Sequence, residues 1–136
     1  MDKMRWRYGD TNPVVAPVAT DAVIEVGDML WKDFHAARPF SDCHIISLFK
    51  EFFLGVAMQR SRSGETAPIR VATTGVFEFE CPRRVWDLGE YVQPCGNQSV
   101  DYIGSRSLAI GRVAKVQQGL DSVYVAIKST VMEGGV

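Results

Sequence analysis

The segment from Ile69 to Glu80, Ile-Arg-Val-Ala-Thr-Thr-Gly-Val-Phe-Glu-Phe-Glu, constrains this chain more than any other stretch. Ile69, Val71 and Thr73 alternate with Arg70, Ala72 and Thr74. Beyond Gly75 the alternation resumes, with Val76, Glu78 and Glu80 on one face and Phe77, Phe79 and Cys81 on the other. A period of two in β-branched and aromatic residues marks a half-buried strand, because successive side chains on a strand point to opposite faces. A glycine inside such a run marks a bulge, a bend or a close approach of backbone. The segment reads as one long strand, bent at Gly75, crossing a small β-barrel or sandwich. Two short strands joined at a glycine turn are the alternative.

Further strand signals surround it. Short apolar runs flank Gly27-Asp28, and Leu54-Gly55-Val56-Ala57-Met58, Leu108–Val116 and Ser122–Val131 carry the same residue types. Leu88-Gly89-Glu90-Tyr91-Val92 echoes Val26-Gly27-Asp28-Met29-Leu30, so the chain is expected to turn at the same kind of corner twice. Gln93–Tyr102 reads as a hairpin-type loop, and Lys32–Pro39 as a loop anchored by Phe34 and Phe40. One helix is expected: Ser41 caps it, and Ile45, Ile46, Phe49, Phe52 and Phe53 form an apolar stripe that plugs one end of the barrel. The expected fold is mainly β, a small barrel or sandwich of about seven or eight strands with one short helix and an extended N-terminal arm. The arm covers residues 1–18 and the barrel or sandwich domain residues 19–136.

At 136 residues the chain fits one domain, and a domain of this size buries roughly two-thirds of its unfolded surface without needing staples. The net charge of −1 argues against a general nucleic-acid or membrane-surface binder. No apolar leader follows Met1, and no run approaches the length of a membrane span, so synthesis in a reducing cytoplasm is expected. Cys43, Cys81 and Cys95 form no close pair, and His35 and His44 do not complete a zinc set. There is no nucleophile elbow, P-loop, zincin motif or dinucleotide fingerprint. Glu78 with Glu80 and Asp87 with Glu90 are the nearest approach to paired carboxylates, and both read as solvated. Neither an enzyme nor a cofactor is expected.

Residues suited to contact a partner lie elsewhere. Arg5-Trp6-Arg7-Tyr8 sets two cations beside two large aromatics, the residue types enriched at interface hot spots. Turn chemistry at Gly9–Pro13 and an extended Val14–Val18 follow, so this arm either docks on a partner or folds back on its own barrel. Arg60 and Arg62, in the polar loop Gln59–Pro68, are suited to an acidic partner surface. A pocket lined by Trp31, Trp86 or Tyr91 would instead speak for a ligand or glycan.

From about Phe53 onward the chain resembles the capsid cement, or decoration, proteins of tailed bacteriophages. The resemblance rests on Phe53-Leu54-Gly55-Val56-Ala57, on Pro68–Phe79 with its Gly75-Val76-Phe77-Glu78, on Leu88-Gly89-Glu90, and on Leu108-Ala109-Ile110-Gly111-Arg112-Val113-Ala114. With the Val23–Leu30 stretch and the closing strand it covers most of residues 20–133. His44–Lys50 is more apolar than the helix usual in that family. The resemblance implies a virion structural protein on the outer capsid surface, a homotrimer that clamps neighbouring major capsid subunits and carries no catalytic residues. A ring-forming tail or connector component and a virion-displayed ligand-binding barrel are the other readings.

Overall fold

A computed structural model describes residues 4–116 and 121–132. The described strands are β1 (Trp6–Tyr8), β2 (Val14–Ala16), β3 (Met29–Asp33), β4 (Ala36–Pro39), β5 (Phe53–Ala57), β6 (Ile69–Ala72), β7 (Thr74–Glu80), β8 (Tyr91–Gly96), β9 (Ser99–Tyr102), β10 (Gly111–Val116) and β11 (Ser122–Lys128). One α-helix, α1 (Ile46–Glu51), lies between β4 and β5.

The strands divide by chain position. Residues before Thr73 build an antiparallel sheet in the order β2-β6-β5-β3-β4. Residues after it build a five-stranded barrel in the order β7-β11-β10-β8-β9, closed by a parallel contact of Glu80 with Ser99. The N-terminal β1 crosses from the first group to the second and pairs with β7, Trp6 opposite Phe77. The expectation of a mainly β barrel with one short helix holds, and the barrel is closed.

The long strand expected at Ile69–Glu80 is two strands, and they break at Thr73 instead of bending at Gly75. Thr73 sits where the chain leaves one sheet for the other. Its hydroxyl donates to Asn12 O at 2.6 Å and its amide to Thr11 O at 2.9 Å, while Thr74 Oγ1 donates to Asp10 O at 2.8 Å. The Asp10–Asn12 turn thus supplies the hydrogen bonds that a continuous ladder would have made. Gly75 remains within β7, opposite Ile127.

The strand count exceeds the seven or eight expected for identifiable reasons. The arm contributes β1 and β2, and Lys32–Pro39 is not a loop but the hairpin of β3 and β4. Its tip is Phe34-His35, with Phe34 at φ 57°. That conformation is normally marked in sequence by Gly, Asn or Asp, and none of these is present at the tip.

Two cores hold the molecule. Phe77, Phe79, Val123 and Val125 fill the barrel and continue into Met29, Trp31, Phe49 and Phe53. On the other face of the five-stranded sheet, Leu30, Leu54 and Val71 pack under Ala16, Val18 and Ile24. Covered on both faces, β5 is buried along its whole length. Gly55 serves this packing directly: it has φ 145°, and a β-carbon there would collide with the carbonyl oxygen of Ala72.

The repeated corner has a shared geometry. Glu25 N donates to Asp28 Oδ2 at 3.0 Å, and Asp87 N donates to Glu90 Oε1 at 2.7 Å. In each turn the acid after the glycine accepts the amide three residues back, and Gly27 and Gly89 take positive φ. The echo between the two segments is therefore one turn used twice.

The helix is shorter than its stripe. Ile45 is its N-cap without a side-chain hydrogen bond, Phe52 closes it, and Phe53 is already in β5. Phe49 is buried against Phe40 and Phe53, with ring centroids 5.0 and 5.7 Å away, whereas Ile45 and Phe52 stay exposed. Ser41 does not cap the helix. It lies in the 3-10 turn Phe40–Asp42, where its amide donates to Asn97 Oδ1 at 2.8 Å.

Candidate docking surfaces

The arm's four signature residues have separate fates. β1 pairs with β7 and β2 with β6, so the described part of the arm folds back on the chain's own barrel and first sheet. Arg5 is 3% exposed, its guanidinium engaged within the fold. Arg7 donates from Nε and Nη2 to Glu78 Oε1 at 3.0 and 2.8 Å, a half-buried ion pair. Trp6 and Tyr8 remain 39% and 47% exposed. The Trp6 indole is fixed by donating to Gly9 O at 3.0 Å, and Tyr8 lies 6.4 Å from Tyr124 between ring centroids. The arm therefore presents aromatics in set positions, which lowers the entropy lost on binding.

Arg5 occupies the seam where one edge of β7 passes from β1 to β9. Its Nε donates to Gln98 Oε1 at 2.8 Å. Gln98 Nε2 in turn donates to Asp28 Oδ1 at 2.8 Å and to Val26 O at 3.1 Å. Arm, barrel and the first corner are joined through three buried side chains. A cleft of about 370 Å³ opens beside them, with Glu25, Glu80 and Asn97 on its walls. Burial pushes the Asp28 carboxyl above its ordinary value, and the amides of Glu25 and Gln98 oppose this only in part. Gln98 and Asp28 were not singled out from sequence as partners: only the fold brings residues of such wide separation together.

Arg60 and Arg62 are exposed on the loop between β5 and β6. The loop is pinned by Ser61, whose backbone bridges to Ile24. They lie beside the first sheet, whereas Trp6 and Tyr8 are on the barrel wall.

The aromatics considered for a ligand pocket do not converge. Trp31 and Trp86 are core residues. Trp31 also floors a cleft with Phe34, Leu48 and Phe52, while Tyr91 lines a different one. Phe34, 85% exposed on its hairpin tip, is the most exposed large apolar side chain among the described residues. Burial raises the Cys81 thiol, so its reactive thiolate is disfavoured. No group of three His, Cys, Asp or Glu among the described residues could hold a metal ion, and no described helix is long and apolar enough to cross a membrane.

Comparison with protein-family models and with characterised proteins finds no match for this chain.

Proposed function

We propose that this chain is a capsid decoration protein. It binds the outer surface of an expanded phage head as a homotrimer and bridges neighbouring major capsid subunits, with Trp6 and Tyr8 among its contacts. One observation carries the reading. The motifs behind the resemblance fall, in order, on β5, on β6 with β7, on the Gly89-Glu90 corner, and on the stretch from the 3-10 turn Arg106–Leu108 into β10. These are framework elements, so the likeness runs through the parts that define a fold.

The physical demands of the role fit the same chain. A cement protein needs a stiff, nearly neutral scaffold and pre-positioned adhesive groups. One copy needs only about 800 Å² of contact for a standard interface. A trimer then gains avidity of roughly two to four orders of magnitude through multivalency.

The test is co-sedimentation of the purified protein with expanded, undecorated heads, followed by heating of the complex. Saturable binding with a raised head-disruption temperature supports the reading. No binding at micromolar protein overturns it in favour of a ring-forming tail component or a ligand-binding barrel, which oligomer mass then separates.

A further inference from the structure

The outer wall of the barrel carries a cleft that decoration through the arm does not use. On β11, Ala126 stands between Tyr124 and Lys128 on the same face, opposite Arg112 of β10, which is itself opposite Tyr91 of β8. A side chain as small as alanine among such neighbours leaves a dip of about 320 Å³, lined also by Gly111. Arg106, Arg112 and Lys128 converge on it. Elsewhere Arg38 has Asp21, Asp33 and Asp42, Arg7 has Glu78, and Arg84 has Glu90 as carboxylate partners, whereas Arg62, Arg70 and Arg83 stand singly on the surface without converging on a cleft. Among the described residues, none of the three cleft cations has such a partner.

The site is also preset. Arg112 Nε donates to Gly89 O at 2.9 Å, and the guanidinium lies 4.6 Å from the centre of the Tyr91 ring. The plane of the fork is fixed from two sides. Nearby on α1, burial lowers the Lys50 ammonium's pKa, and the charge of Arg106 lowers it further. Like charges gathered without a counter-ion repel one another, and an anion arriving from outside relieves that repulsion.

We propose that this cleft receives an acidic segment of a partner protein, one or two Asp or Glu side chains held by Arg106, Arg112 and Lys128. The planar fork of Arg112 matches a carboxylate. A single-stranded nucleic acid fits less well. Arg112 already covers Tyr91 and Lys115 sits 5.4 Å over Tyr124, so these rings offer fewer open faces to bases. The dip also holds one or two side chains, not a track of about 4–16 nucleotides. This inference does not depend on the capsid reading.

The experiment is amide NMR titration of the isolated protein with N-acetyl-hexaglutamate amide, beside hexaglutamine, inorganic phosphate and octathymidylate. Saturable shifts centred on Gly111, Arg112, Ala126 and Lys128 are expected with hexaglutamate alone. Arg106→Gln with Lys128→Gln should weaken binding at least tenfold, and Arg106→Lys with Lys128→Arg should retain most of it. Arg106 is exposed, so Arg106→Gln alone, expected to cost a few-fold, remains informative if the double variant misfolds. Absent or scattered shifts, equal binding of hexaglutamine, or affinity unchanged by the neutral variants would overturn the proposal. Equal or tighter saturation of the same amides by phosphate or octathymidylate would replace it with a phosphate site.

Discussion

Arg5 and Gln98, 93 residues apart in the chain, meet at 2.8 Å inside the protein. The bond spans the seam at which β9 takes over from β1 along β7. Glu80 is 3.9 Å from the same guanidinium but largely exposed, so the amide is the closer and better shielded partner. Removing Arg5 takes from the buried Gln98 side-chain oxygen the hydrogen bond that Arg5 Nε donates. Arg5→Ala is expected to destabilise the fold by about 2 kcal/mol, the scale of a lost hydrogen bond to a charged group. Urea denaturation monitored by tryptophan fluorescence measures it, and a loss below 0.5 kcal/mol would mean that the seam does not depend on this bond.

Asp28 gives the same region a pH dependence. Its carboxyl lies above the ordinary 3.8, chiefly through burial. Between 3.8 and the raised value the unfolded chain has released its proton while the folded chain keeps it. Folding stability from this group is therefore greatest below that interval and falls as pH rises through it. Carboxyl-carbon NMR should show Asp28 titrating above 3.8. A midpoint below that value would mean that the amides from Glu25 and Gln98 outweigh burial.

Gly55 leaves no room for a side chain. Gly55→Ala forces β5 away from Ala72 and adopts a φ that alanine resists. A loss of about 3 kcal/mol is expected in the same denaturation assay, on the scale of overpacking a core. An unchanged midpoint would show that the two strands separate at little cost.

Phe34 runs the other way. An L-residue in the left-handed region costs about 1–2 kcal/mol, and asparagine tolerates it better. Phe34 is exposed, so little packing is lost on replacing it. Phe34→Asn should raise stability by about 0.5–1 kcal/mol, read as a higher thermal midpoint. A lower midpoint would show that the aromatic ring contributes more to the hairpin than its exposure indicates.

For the arm, point variants test decoration better than truncation, because deleting residues 1–15 also removes Arg5 and all of β1. Under the proposed decoration role, Trp6→Ala with Tyr8→Ala should weaken head binding at least tenfold, the scale of one lost hot spot. A thermal scan checks the fold. Unchanged affinity in a folded double variant would assign the contact to another surface.

Much of the fold was legible because its signals are local. Alternation set Phe77 and Phe79 on one strand face, which is the one that fills the barrel, and the paired Gly-acid segments identified a shared corner. What escaped was set by distant partners. Thr73 breaks the long strand because the Asp10–Asn12 turn reaches it, and Ser41 falls in a separate 3-10 turn ahead of the helix, where Asn97 holds its amide. Arg5 gave the same signal as Trp6 and Tyr8, cation beside aromatic, although one is internal and the others are exposed. The basic cleft had no local signature, since its cations come from the 3-10 turn before β10, from β10 and from β11.

The division of the chain at Thr73 also sets an order of assembly. Every strand of the first sheet lies within residues 14–72, so its strand pairings need no residue of the later half. The barrel differs. β11 sits between β7 and β10, so Thr74–Glu80 waits for a neighbour that follows β8, β9 and β10 in the chain. Until then β1 pairs with a β7 that lacks its other neighbour. A chain in which the first sheet has paired before β11 is available carries an open, half-built barrel, with Phe77, Phe79 and the sheet residues Met29, Trp31 and Phe53 still uncovered. Such a state exposes chains to association with one another, and crowding of translating ribosomes should lower the folded yield more than any change to the completed structure would suggest.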